Sequence, residues 1–187
     1  MKGDTMELRP ITTESPDLPR FDALNRQAFP EQERVPTEHL LAAEGLENFG
    51  IYEDGAFVGM LVMRVFRDLA YIAYFAIVPE RRSQGLGSKA LRVMREHYTG
   101  KQIVLDFEAL DPAAENQPQR LRRREFYLRG GFYPTGWFQF YMETEFEIFC
   151  SEEDFDKTAF DAMLADIHAH VPEFDPHPYR KAQGESL

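Results

Sequence analysis

The sequence predicts an α/β fold, in which helices cover a sheet whose strands run in both directions. Three observations lead to this class. The hydrophobic period changes from helical to extended at Phe49, and the pair Asp54-Gly55 then separates two apolar runs, as in a hairpin. Further on, an apolar run over 69–78 and another over 103–110 enclose an amphipathic helix. Strands separated by a single helix are typical of a parallel pair, so the predicted sheet is mixed.

The first half of the chain is predicted to begin with a strand and two helices before the hairpin. Apolar residues at helical spacing follow Ser15, and Pro30 ends that helix. A charged loop bounded by prolines comes next, and Thr37 is placed to cap a second helix that runs through Gly45. The predicted segments are a strand at 6–12, helices at 15–29 and 37–45, and hairpin arms at 49–53 and 56–65.

The second half is predicted to alternate helices and strands and to end in a helix. Gly100 and Gly130-Gly131 follow two helical patterns and are suited to end them. Ser151 and Asp154 have the spacing of a capping box before a final apolar stripe. The predicted segments are helices at 86–98, 119–129 and 152–171, strands at 103–110, 132–142 and 146–150, and an irregular tail at 173–187. We expect a single domain over 1–187, with its core at about 6–150.

Composition limits the classes of partner. The formal net charge of −11 argues against a general nucleic-acid-binding surface. The single cysteine, Cys150, rules out an internal disulfide framework and fits a reducing compartment. The first residues lack the apolar segment of a signal peptide, and no apolar run has the length of a membrane span. A soluble cytoplasmic protein without a nucleic-acid or membrane partner is therefore expected.

The junction between the apolar run 69–78 and the next helix carries the clearest chemical signal. A proline, two arginines and two glycines stand between them, namely Pro79, Arg81, Arg82, Gly85 and Gly87. The first turn of a helix has N–H groups without intrahelical acceptors, and the positive end of the helix dipole lies there. Glycines let a ligand approach the backbone, and arginines bind phosphate. This junction is therefore predicted to bind a phosphate or pyrophosphate.

These residues resemble a known family motif. In the acyl-CoA-binding motif of the GNAT superfamily of N-acetyltransferases, Arg or Gln is followed by two variable residues, Gly, one variable residue, and Gly or Ala. Arg82, Gly85 and Gly87 stand at the defined positions. A second likeness lies downstream, where Phe126-Tyr127 is followed by Gly131-Phe132. With the order of elements, the resemblance covers about residues 6–150.

The resemblance implies a fold, a cofactor and a reaction. The fold would have a mostly antiparallel sheet with helices on both faces and strands that splay where the 69–78 and 103–110 strands meet, which is where acetyl-CoA enters. An amine would attack the thioester directly in a ternary complex, with no metal, and Tyr127 would protonate the leaving thiolate. A backbone N–H near Ile77–Val78 would polarise the carbonyl. The implied cofactor-binding residues are Ile77, Val78, Arg82, Ser83, Gln84, Gly85, Leu86, Gly87 and Ser88.

The general base is not defined by this resemblance. Many relatives have a carboxylate on the central strand, but residues 71–76 contain none. Glu108 is the candidate base, and Glu33 and a water chain are the alternatives. Because Asp106 and Glu108 alternate along a strand, they share one face and could instead hold a cationic acceptor together.

The helix that carries Tyr127 departs from the family pattern. Arg120 and Arg123 stand seven and four residues before Tyr127, where relatives often have Asn and a small residue. They could bring positive charge to the cofactor, or the helix could be shifted relative to those of relatives. Asn116 is only a weak substitute for the missing asparagine.

Two other function classes remain open at this stage. One is a non-catalytic module that binds acyl-CoA to sense it or to recruit a partner. The other is an unrelated phosphate-ligand enzyme that shares only the helix start. The expected acceptor is the primary amine of a small molecule or peptide. A homodimer stays open, because the aromatic stretch 137–142 suits either a core or a subunit interface.

Overall fold

The computed structural model describes residues 5–31 and 33–181, which fall into two compact units. The first unit comprises the described residues up to Phe66 together with Ala70–Thr99. The second comprises Arg67–Leu69 and the described residues from Gly100 onward. This division does not test the expectation of a single domain, which stays a prediction.

The first unit contains four strands and three helices among its described residues. In chain order they are β1 (Met6–Pro10), α1 (Leu18–Ala28), α2 (Thr37–Ala42), β2 (Leu46–Glu53), β3 (Ala56–Phe66), β4 (Leu69–Ile77) and α3 (Leu86–His97). The strands lie in the order β1-β2-β3-β4, and β2 is antiparallel to both β1 and β3. The Asp54-Gly55 turn joins β2 and β3, as the sequence predicted, and both of its residues have positive φ angles.

An apolar cluster holds the two N-terminal helices against the sheet of the first unit. Phe21 and Leu24 of α1 and Leu40 of α2 are buried with Met60 and Val62 of β3. The two α1 residues are three apart and so project from one face of the helix, which explains the helical period of the sequence. The alternate residues Met60 and Val62 lie on one face of β3.

The second unit contains two helices and four strands in the described part of the chain. They are β5 (Gln102–Glu108), α4 (Gln117–Arg129), β6 (Tyr133–Tyr141), β7 (Thr144–Cys150), α5 (Lys157–His170) and β8 (Tyr179–Arg180). The strand order is β5-β7-β6-β8, and each neighbouring pair is antiparallel. β5 is therefore paired with the later strand β7, while the hairpin partner β6 lies on the far side of β7.

The α/β class is confirmed. The described residues form eight strands and five α-helices, in a mixed, mostly antiparallel sheet with an extra C-terminal helix. A search of the described residues for a helix with the length and apolar character needed to cross a bilayer finds none.

Several boundaries differ from the predicted ones. The helix α2 ends at Ala42 instead of Gly45, β2 begins at Leu46 instead of Phe49, and Thr37 is the first helical residue, not a cap. The hydroxyl of Thr37 donates to Asp22 Oδ1 at 2.7 Å. The single 3-10 turn Pro79–Arg81 between β4 and α3 was not predicted.

The C-terminal predictions also need correction. The last helix begins at Lys157, not at 152, because Asp156 is the residue that caps it. The predicted tail is not wholly irregular, since β8 pairs with β6 through Trp137 and Phe138. The remainder of that prediction, 182–187, lies outside the described residues.

Candidate active site

The loop between β4 and α3 has a left-handed turn. Ser83 and Gly85 have φ angles of 60° and 78°, and Gly85 is the N-cap of α3. A Cβ atom at Gly85 would meet no atom within 4 Å, so glycine is favoured there by backbone conformation and not by space. The turn lets the chain reverse out of the 3-10 turn and enter α3 at Leu86.

The first turn of α3 presents main-chain donors. The first intrahelical bond runs from the Lys89 N–H to the Gly85 carbonyl, at 3.1 Å. The N–H groups of Leu86, Gly87 and Ser88 precede it and therefore have no acceptor within the helix. The helix dipole adds partial positive charge at the same end, so the loop has the geometry of an anion-binding site.

The two arginines of this loop have different contacts. Arg82 Nε donates to the Ile77 carbonyl at 3.1 Å. Arg81 Nε donates to Gln84 Oε1 at 3.0 Å, and its Nη2 lies 2.6 Å from Glu53 Oε2. Glu53 was missed in the sequence because nothing in its local pattern distinguishes it from any polar residue beside a turn.

At the end of β4, one main-chain N–H group already has an acceptor in the sheet. The Val78 N–H donates to the Val58 carbonyl at 2.9 Å. Successive residues of a strand direct their main-chain groups to opposite edges. The Ile77 N–H and carbonyl therefore face away from β3, and that carbonyl is the one that Arg82 contacts.

Tyr127 lies in an aromatic cluster of the second unit. Its ring stacks on Phe107 with centroids 5.4 Å apart and meets the rings of Phe126 and Phe132 edge-on. The side chain is 8% exposed. Burial raises the pKa of Tyr127 to about 12, with the charge on Arg123 opposing that shift and Asp106 adding to it. The phenol is therefore protonated at neutral pH and able to donate a proton.

Glu108 is held by three side chains on or beside α4. Asn116 Nδ2 donates to both carboxylate oxygens, at 3.0 and 3.2 Å. Arg120 Nη2 lies 3.1 Å from Oε1, and Arg123 Nη1 lies 3.2 Å from Oε2. Both carboxylate oxygens of Glu108 are therefore engaged by donors from the α4 side.

The side chain of Arg120 is only 12% exposed. Besides Glu108, it donates to the Asn116 amide oxygen at 2.7 Å and to the Ala109 carbonyl at 2.8 Å. Arg123 is 46% exposed, so it is the more accessible of the two cations before Tyr127. These contacts explain the two arginines as part of the packing between α4 and β5.

Asp106 and Glu108 lie on one strand but have separate partners. Gln139 Nε2 donates to Asp106 Oδ2 at 2.6 Å, and the Tyr141 hydroxyl donates to the same oxygen at 3.1 Å. Both donors come from β6 and were not identified from the sequence. Gln139 and Tyr141 alternate in an extended segment, which indicates that they share one face of a strand. This pattern does not indicate which strand lies opposite.

The other candidate base, Glu33, lies in the exposed loop between α1 and α2. Its main-chain carbonyl accepts a hydrogen bond from the Tyr74 hydroxyl at 2.8 Å, and that hydroxyl accepts one from the Val35 N–H at 3.1 Å. Tyr74 therefore fixes the backbone of this loop to β4, while the Glu33 side chain stays at the surface.

In a comparison with family models, residues 12–132 match the acetyltransferase (GNAT) family. That match spans more than half of the chain. The chain belongs to the GNAT family. Acetyl transfer to an amine is the general reaction of this family, and its members use acetyl-CoA. Membership removes the alternative of an unrelated enzyme that shares only the helix start.

Solved structures show the same fold. An acetyltransferase of the GNAT family from Bacteroides thetaiotaomicron is 23% identical, with a TM-score of 0.72 over 90% of this chain and 99% of its own. The ribosomal-protein-S18-alanine N-acetyltransferase of Escherichia coli is 19% identical, with a TM-score of 0.57 over 78% and 92%. A GNAT acetyltransferase from Elizabethkingia anophelis with acetyl-CoA bound is 14% identical, with a TM-score of 0.56 over 80% and 99%.

At these identities the likeness establishes the fold and no finer property. A comparison with curated protein sequences found no significant match.

Proposed function

We propose that this GNAT protein transfers the acetyl group of acetyl-CoA to a primary amine by direct attack in a ternary complex. The observation that carries the proposal is the left-handed Ser83–Gly85 turn, which leaves the first N–H groups of α3 without helical acceptors. A pyrophosphate fits such a site because its oxygens accept several hydrogen bonds at once. The proposed cofactor-binding residues are Ile77, Val78, Arg82, Ser83, Gln84, Gly85, Leu86, Gly87 and Ser88.

The oxyanion donor is assigned to one of the two residues first considered. Since the Val78 N–H already donates to Val58, we assign the Ile77 N–H to the thioester carbonyl. A fixed main-chain donor stabilises the charge that develops on this oxygen as the amine attacks. The Ile77 carbonyl is held by Arg82, which fixes the orientation of the same peptide segment.

Tyr127 is the proposed acid. As the C–S bond of the tetrahedral intermediate breaks, the sulfur takes the electron pair, and the phenol proton passes to the thiolate. The raised pKa, about 12, keeps that proton in place at neutral pH. The phenolate left behind regains a proton from solvent, which takes up the proton that the amine nitrogen loses as the amide forms.

Glu108 stays the candidate base, although both of its carboxylate oxygens already have partners. The amine must lose a proton before or during the attack, so a Glu108 base would have to exchange one of its contacts with Arg120 and Arg123 for a contact with the amine. A pH profile of kcat/KM for Glu108→Gln decides the role. Loss of the acidic limb indicates a base, whereas an unchanged profile indicates that Glu108 only orders α4.

The acceptor class is a small-molecule or peptide amine. Its amine has to reach the carbonyl unprotonated, and most primary amines are cations at neutral pH. The Escherichia coli enzyme is named as an N-acetyltransferase of an alanine of ribosomal protein S18. This name supports including peptide amines among the candidate acceptors, beside polyamines and aminoglycosides. The net charge of −11 favours a cationic acceptor in every case.

Thiol release from acetyl-CoA across a panel of amines tests the proposal. The panel contains a polyamine, an aminoglycoside, a lysine peptide and a peptide with a free alanine terminus. We expect release that depends on one class of amine. CoA binding without release on any amine would instead support a non-catalytic acyl-CoA module, which the absence of a β4 carboxylate and the paired state of Glu108 favour.

A further inference from the structure

We propose that Glu53 is a positioning residue for the CoA pyrophosphate, because it holds the loop that opens α3. This inference rests on the proposed function and adds a residue outside the family motif. Glu53 is the last residue of β2, and its side chain is 9% exposed. Its Oε2 lies 2.6 Å from Arg81 Nη2, and its Oε1 lies 2.8 Å from Lys89 Nζ.

The two cations come from opposite ends of the turn. Arg81 closes the 3-10 turn before the left-handed residues, and Lys89 lies just beyond the first turn of α3. One carboxylate thus connects both sides of the Ser83–Gly85 turn to a strand of the sheet. Arg81 also contacts Gln84, whose Nε2 donates to the Glu80 carbonyl at 3.1 Å. These contacts fix the loop through its side chains.

The arrangement leaves the main chain of the loop available. Arg81 bonds to Glu53 and to Gln84, and Gln84 bonds to the Glu80 carbonyl, so these three bonds use no N–H group of the α3 start. A left-handed residue other than glycine, such as Ser83, is unfavourable unless the surroundings hold it. The Glu53 clamp, meaning Glu53 with Arg81 and Lys89, supplies that support before the ligand arrives.

Because Glu53 is negatively charged, two explanations of its role predict opposite changes in CoA affinity when it is replaced. A carboxylate repels a phosphate, so a purely electrostatic account predicts that Glu53→Gln binds CoA more tightly. The clamp predicts weaker binding, because the released loop must be ordered by the ligand itself. The two accounts therefore differ in the direction of the effect.

The experiment measures steady-state constants for Glu53→Gln with two donors. With acetyl-CoA we expect KM to rise about tenfold while kcat stays within twofold. With acetyl-pantetheine, which lacks the pyrophosphate, we expect wild type and variant to have the same kcat/KM. An unchanged or lower KM for acetyl-CoA overturns the inference, and so does an equal loss with both donors.

Glu47→Gln is the matched control. Glu47 lies on the same strand and accepts a hydrogen bond from the Tyr98 hydroxyl at 2.6 Å, beside the C-terminal end of α3. This substitution perturbs the same strand and helix without touching the loop, so KM for acetyl-CoA should not change. If Glu47→Gln raises KM as much as Glu53→Gln does, the effect is general destabilisation and the inference fails.

Arg81→Gln keeps the test decisive if Glu53→Gln does not fold. Arg81 is 39% exposed in its side chain, so its replacement is well tolerated. The clamp predicts a raised KM for acetyl-CoA in this variant and, where both fold, a double variant no worse than the worse single one. Additive effects overturn the inference. If the wild-type protein does not bind CoA in a calorimetric titration, the proposed function fails. If the wild type binds CoA and the variant binds it equally well, only the inference about Glu53 fails.

Discussion

The tyrosines of this protein differ in what raises their pKa values. The pKa shifts of Tyr52 and Tyr98 include hydrogen bonds to the carboxylates of Asp17 and Glu47. The raised pKa of Tyr127 comes from burial and from the charge on Asp106, and the charge on Arg123 opposes it. A phenol that is already bonded to a carboxylate has its proton engaged. The shift of Tyr127 does not depend on such a bond.

Tyr127→Phe is expected to lower kcat by about 100-fold, because a positioned proton donor contributes about 10²–10⁴-fold. The KM for acetyl-CoA should change little, since the proposed pyrophosphate contacts lie in the α3 loop. Tyr133→Phe, which removes an exposed hydroxyl from β6, serves as the control and should retain full kcat. A Tyr127→Phe enzyme with full kcat would remove Tyr127 as the acid.

The raised pKa of Tyr127 also predicts a pH dependence of stability. The folded protein holds the phenol proton to about pH 12, whereas the unfolded chain loses it near pH 10. This contribution is therefore complete below about pH 10 and is lost as the pH rises through the folded value. Urea titrations from pH 8 to 11 should show a smaller decline in unfolding free energy for Tyr127→Phe than for wild type. Parallel declines would contradict the shift.

At the scale of elements, α3 offers a comparison between its two ends. Gly85 begins the helix and Gly100 follows it, with φ angles of 78° and 86°, and a Cβ atom at either would meet nothing within 4 Å. Alanine should therefore cost about 1–2 kcal/mol of stability at both positions, through the left-handed backbone.

Only Gly85→Ala should also raise the KM for acetyl-CoA, because only this glycine lies beside the N–H groups assigned to the pyrophosphate. Thermal unfolding and steady-state kinetics measure the two effects separately. An equal change in KM for Gly100→Ala would indicate that the backbone cost, not the anion site, controls binding.

The start of α5 tests a corrected boundary. Asp156 Oδ1 accepts a hydrogen bond from the Ala159 N–H at 2.9 Å, so Asp156→Ala should cost about 1 kcal/mol of unfolding free energy. Asp154→Ala, at the residue that the capping-box pattern indicated, should change it by less than about 0.5 kcal/mol. Denaturant unfolding of both variants checks the assignment, and the reverse order would restore the predicted boundary.

The elements that the sequence predicted well are those with local signals. The Asp54-Gly55 turn and the glycine at the start of α3 need particular backbone angles, which only a few residues adopt easily. The short strand β8 lacks such a signal, because its pairing with Trp137 and Phe138 joins residues distant in sequence. A two-residue strand is too short to show a period.

The candidate site divides in the same way. The motif residues of the α3 loop and Tyr127 could be proposed from the sequence because they belong to recognisable local patterns. Glu53 and Gln139 were missed, and the pairing of Arg120 and Arg123 with Glu108 was not predicted, because these roles depend on residues brought close only by folding. A single sequence records the residue types but not these pairings.

At the scale of the whole molecule, a chain of net charge −11 is proposed to bind an anionic donor. The α3 loop makes this possible because its donors are main-chain groups and a helix dipole, which act at short range. The remaining acidic surface repels other anions and attracts a cationic acceptor. The amine of a small molecule or peptide, which is a cation at neutral pH, is therefore the expected acceptor.

The central claim is direct acetyl transfer, and a single-turnover experiment tests it most closely. The protein is mixed with one equivalent of acetyl-CoA and the amine selected from the panel, and free CoA, acetylated amine and protein mass are followed together. We expect CoA and acetylated amine to appear at the same rate and in equal amounts, with no acetylated protein. CoA release that precedes product and coincides with an acetyl group on the protein would contradict the account.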